Sequence, residues 1–177
     1  MYLGATKDLW LTFDGRNQSL VNGFCDTNWA SQTHCHSISG YLFHMESDVV
    51  TWSSKKQYIV VLSSTELEYI VISHTAKEAL WLQAFILEIR AVKQEHVIIN
   101  CNNQGAIALS KDNKYYMQTK HIDIWYHFIC KNIAAGNVIV DYIPSSENTS
   151  NILTKALPKV KYGQFVTSLG LQLGKGL

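Results

Sequence analysis

The chain has 177 residues, 47% of them hydrophobic and 16% charged, with a formal net charge of +1. That length supports one domain with a full core, and that balance excludes a disordered or strongly polyionic chain. No apolar run reaches the roughly 18 residues that span a bilayer, and nothing at the N-terminus resembles a signal peptide. In chain order, "SLVNGFCDTNWA" (19–30) reads as a strand that ends in polar residues. "SISGYLFHMESD" (37–48) and "VVTWSSKKQ" (49–57) read as two more strands joined by a tight turn. The spacing predicts a long helix over 63–90, capped by Ser64 or Thr65, with acids in its first turn. A strand over 97–102 then runs into a short helix from Gln104 to Ser110. A second amphipathic helix covers 120–136 and closes at Gly136. A strand over 137–144 stops at Pro144, and a last helix over 148–157 precedes Pro158. This order predicts an α/β fold with a sheet of mixed direction.

The chemistry-bearing residues fall at element ends. Asp26 ends the first strand, and Glu66 and Glu68 lie in the first turn of the long helix. From Glu68 the helical row Ile72, Ala76, Ala79 and Leu82 is apolar and should face the sheet. From Glu66 the row through Ser73 and Lys77 reads as solvated. Glu68 is therefore the inward acid, while Glu66 suits the helix dipole. At the junction "NCNNQG", where side chains leave a strand end together, stand Asn102 and Asn103 rather than an acid. The four cysteines, Cys25, Cys35, Cys101 and Cys130, have no CxxC spacing and read as reduced, intracellular thiols. His34, Cys35 and His36 carry zinc-ligand chemistry, but three adjacent residues cannot close a tetrahedral site, and a solvated loop is the simpler reading. Trp29, Trp52, Trp81 and Trp125 read as core or edge residues rather than base-stacking platforms.

"GFCDTNWAS", "SISGYLF", "VTWSSKKQ", "LSSTELEYI", "CNNQGAIAL", "TKHIDIWYHFI" and "NILTKALP" together resemble, in order, the ribonuclease H region at the end of copia-type retrotransposon Pol polyproteins. The resemblance runs over residues 1–171. It implies a ribonuclease H-like mixed five-stranded sheet flanked by helices over 20–158. Residues 1–19 would be a remnant of the connection after a reverse transcriptase, and 159–177 a C-terminal tail. The chain would then be the 3′ end of such an element, read from an internal start. The implied activity is cleavage of the RNA strand of an RNA–DNA hybrid by four carboxylates around two Mg²⁺ ions, with Mn²⁺ as a substitute. The implied partners are the hybrid and the ancestral reverse transcriptase, inside the cell.

Carried onto this sequence, the four acid positions are Asp26, Glu68, Asn102 and Asn151. Two of the four are amides. An amide oxygen can ligate a metal but brings no charge, so metal binding and cleavage should both be weakened while the near-isosteric fold survives. A second family Asp is Asn28 here, and the family's basic run before "SGYLF" is "HCHS". Lys55, Lys56, Gln104 and His121 are the candidate nucleic-acid contacts. Two other readings stand beside the impaired enzyme: an active ribonuclease H with a reduced acid set, and a recruited interaction protein with no nucleic-acid role.

Overall fold

The computed structural model describes residues 6–12, 21–28, 37–45, 48–57, 63–90, 94–111 and 123–173. His34, Cys35, His36, Trp29 and His121 lie outside the described residues, as does the side chain of Trp125. Strands β2 (Asn22–Asn28), β3 (Ile38–Met45) and β4 (Asp48–Lys56) form an antiparallel run. β5 (Val97–Cys101) and β6 (Val138–Tyr142) add to β2 in parallel, giving the order β4-β3-β2-β5-β6. This is the mixed sheet that the sequence predicts. The two parallel additions place the ends of β2 and β5 side by side, with Cys25 opposite Cys101. Asp26 and Asn102, the residues that follow, therefore emerge at the same end of the sheet.

Strand alternation divides the core. Cys25 and Phe43 point to the face covered by helix α1 (Ser64–Arg90), α2 (Gln104–Lys111) and α3 (Asp123–Ala134). The row predicted to face the sheet does so, for Ile72, Ala76, Ala79 and Leu82 are all buried. Leu42 and Phe24 point the other way, toward α4 (Asn151–Thr154) and the end of α5 (Lys159–Ser168). Among the described residues, no helix is long and apolar enough to cross a membrane.

Four details depart from the sequence expectations. The cap of α1 is Ser63, whose hydroxyl accepts the Glu66 N–H at 3.2 Å, rather than Ser64 or Thr65. Ser73 is buried rather than solvated, because α1 packs against α2 and α3 as well as the sheet. Its hydroxyl turns back to the Tyr69 carbonyl at 3.1 Å. The helix expected over 148–157 is confined to Asn151–Thr154, because the chain before it is a turn built around buried Asn148. Finally, residues after Pro158 form α5 and then β7 (Leu171–Leu173), which pairs antiparallel with β1 (Leu9–Leu11) and joins the two ends of the chain. Among the described residues Trp10 on β1, Trp52 on the edge strand β4 and Trp81 on α1 are exposed, the last stacked on Phe85.

Candidate active site

Asp26 is almost fully buried, and both its oxygens are engaged. Oδ1 accepts the Asn102 amide N–H at 3.1 Å. Oδ2 accepts the Thr154 hydroxyl and lies 3.4 Å from the Lys155 ammonium. An ionised carboxylate only accepts, so the amide of Asn102 must turn its nitrogen inward. The neighbouring Asn103 does separate work: its Oδ1 accepts the Ala106 N–H at 3.0 Å and caps α2.

Glu68 enters from the first turns of α1. It takes hydrogen bonds from the side chain and backbone of Thr27, the residue after Asp26. Burial, and then the charge of Asp26, push its carboxyl up to about 8, against the opposing pull of Thr27 and Lys155. Its Oε2 is buried without a hydrogen-bond partner among the described residues. The adjoining Cys25 thiol is pushed well up, first by its hydrogen bond with Cys101 and then by burial. It is a packed thiol, not a nucleophile.

Asn151 begins α4 and Thr154 ends it three residues on, and Lys155 follows as the extended C-cap. Its amide nitrogen donates to the Ser145 carbonyl at 2.5 Å, and its Oδ1 is buried without a partner among the described residues. Asp26 and Asn102 are thus hydrogen-bonded directly, while Glu68 reaches them through Thr27 and through the charge of Asp26. Among the described residues Asn151 joins them through the Thr154 hydroxyl, which lies against both Asp26 Oδ2 and the Asn151 carbonyl. Lys55 and Lys56 are exposed at the end of β4, and Gln104 is exposed at the start of α2. Lys55 lies on the α1 side, where burial, Lys77 and Lys55 together lower the His74 pKa.

Sequence reasoning did not single out Thr154, Lys155, Thr27 or Asn148. The Asn148 amide donates to the Cys25 carbonyl at 2.8 Å and anchors the turn before α4 beside Asp26. Asn28, noted only as a lost acid, donates to the Thr154 carbonyl at 3.2 Å, which an Asp could not do. The signal for Thr154 was in "NILTKALP", at helical spacing from Asn151, whereas Lys155 is the extended residue that follows the helix.

α4 sits close to the sheet because Gly40 has no side chain. A Cβ at Gly40 would lie 2.8 Å from Leu153 Cβ and 2.9 Å from Thr154 Cγ2. Gly40→Ala should push α4 outward and unseat Thr154 from Asp26, with a loss on the order of 1–3 kcal/mol. Urea unfolding reads this directly, and an unchanged midpoint would refute the close approach.

A pair of divalent ions does not fit these residues. Two acids face four positive charges, and both oxygens of Asp26 already have donors, one of them a cation. Among the described residues no group of three His, Cys, Asp or Glu side chains is placed to hold a metal ion.

No protein-family model matches the chain. It is 37% identical over 162 residues to the retrovirus-related Pol polyprotein from transposon TNT 1-94 of Nicotiana tabacum, across 91% of this chain and 12% of that protein. It is 30% identical over 171 residues to the Pol polyprotein from transposon RE2 of Arabidopsis thaliana, across 96% of this chain and 12% of that protein. The chain therefore spans about 12% of the length of the curated relatives it matches. Among solved structures it is similar to LC11-RNase H1 in complex with an RNA/DNA hybrid, with a TM-score of 0.53 at 14% identity, covering 76% of this chain and 93% of that one.

Proposed function

The chain belongs with the ribonuclease H region of copia-type retrotransposon Pol polyproteins, and on that footing we propose that it is a ribonuclease H-like domain that has lost efficient cleavage. It keeps the fold, and it engages RNA–DNA hybrids through exposed positive charge. The observation that carries this reading is the Asn102 amide on Asp26 at 3.1 Å. Where the family's pattern has an acid that shares a cation with Asp26, this chain has a donor that consumes an Asp26 oxygen. The second amide, Asn151, turns its nitrogen to a backbone carbonyl in the same way. With both Asp26 oxygens engaged and two of the four acid positions held by amides, such a site has little to offer Mg²⁺ or Mn²⁺.

Purified protein incubated with a labelled RNA–DNA hybrid in Mg²⁺, and separately in Mn²⁺, should leave the RNA strand intact. The same hybrid should still be retained in an anisotropy titration, with affinity that falls as salt rises. Changing Lys55 and Lys56 together to Ala should weaken that retention and lower the salt dependence. Robust cleavage by the wild type, abolished by Asp26→Asn, would show that two acids suffice and would overturn the reading.

A further inference from the structure

We propose that Lys155 is a built-in counter-cation that closes Asp26 to divalent metal. This rests on the reading of an impaired site. The ammonium lies 3.4 Å from Oδ2 of Asp26, on a side chain only one-third exposed. Thr154, the preceding residue, donates to the same oxygen, and Asn102 to the other. A divalent ion that needs this carboxylate must first displace a charge already held there.

The balance of charge decides which cation wins. The lysine stands inside the "LTK" run that the chain shares with the family's pattern. With four acids beside it, one lysine leaves three negative charges, and a divalent ion is strongly attracted. With Asp26 and Glu68 alone, at most one negative charge remains, and the lysine is already in place. Two oxygens stay free for a cation: Oε2 of Glu68 and Oδ1 of Asn151, both buried without a partner among the described residues. They are hard donors of the kind that Mg²⁺ and Mn²⁺ prefer. Removing the ammonium should therefore let one divalent ion bind more tightly at Asp26, without adding any acid.

The test is a Mn²⁺ titration of the full chain, read by the electron paramagnetic resonance signal of the free aqueous ion. Lys155→Met should bind one Mn²⁺ at least about tenfold more tightly than wild type, since a like charge at contact distance is gone. Lys155→Arg keeps the charge and should bind as weakly as wild type. Lys155→Gln is the second neutral variant, should the methionine disturb folding as judged by circular dichroism. Folded neutral variants that bind Mn²⁺ no better than wild type would overturn the proposal while leaving the impaired-site reading intact. An arginine variant that gains as much as the methionine variant would also overturn it, because packing rather than charge would then be responsible. Two tight ions on the wild type would sink this proposal and the impaired-site reading together.

Discussion

The double change Asn102→Asp with Asn151→Asp should convert a protein that leaves an RNA–DNA hybrid intact into one that cuts it when Mg²⁺ is present. Either change alone should do little. Asn102→Asp by itself sets a carboxylate against Asp26, where an amide now donates at 3.1 Å, and raises one pKa of the pair rather than building a metal site. Asn151→Asp by itself loses the bond to the Ser145 carbonyl and leaves Asn102 still occupying Asp26. Together they give four acids against one Lys155, and the charge balance turns toward divalent cations. Groups that act as a unit are strongly non-additive, so the double variant should exceed the sum of the singles by a wide margin. Stability offers a second reading. Without metal, the double variant should unfold more easily than wild type, because four carboxylates crowd one sheet end. With Mg²⁺ at about 100 times its dissociation constant, it should regain roughly 2.7 kcal/mol, while wild type barely responds. A folded double variant that binds Mg²⁺ yet never cleaves would move the defect to hybrid binding.

The fold was legible because its signals are local and long. The helix over Ser64–Arg90 carries an unbroken apolar row from Glu68, and the strands carry β-branched and aromatic runs. The parallel neighbours β2 and β5 follow from the order of elements, and with them the pairing of Asp26 with position 102. What stayed hidden depends on contacts far apart in sequence. Ser73 sits on a row that looks solvated, and only the approach of α2 and α3 buries it. β1 and β7 are three residues each and lie at opposite ends of the chain, so neither has a signal of its own. The site was half legible. Element ends and the helix face singled out Asp26, Glu68 and Asn102, and the family resemblance added Asn151, but neither said where an amide nitrogen turns. Lys155 reads as an ordinary solvated lysine until the structure brings its ammonium to a carboxylate 129 positions earlier in the chain.

The pH dependence of stability should carry the imprint of Glu68. Its carboxyl ionises near 4.5 in the unfolded chain and at about 8 in the folded one. Between those values the folded state holds a proton that the unfolded state has released. Stability must then fall as pH rises across that window. The contribution is complete below about 4.5 and is gone once the pH passes about 8. Each pH unit is worth roughly 1.4 kcal/mol at most, so the whole window amounts to several kcal/mol, a large share of the stability of an ordinary domain. Glu68→Gln removes the titration while keeping an oxygen for Thr27. Urea unfolding of both proteins from pH 5 to pH 9 isolates the effect, because the other titrating groups cancel in the difference. The variant should gain steadily on wild type as the pH rises and level off above about 8. Parallel curves would mean that Glu68 is ionised in the folded protein at neutral pH. That result would bear on metal as well, since a carboxylate must be deprotonated to serve as a ligand.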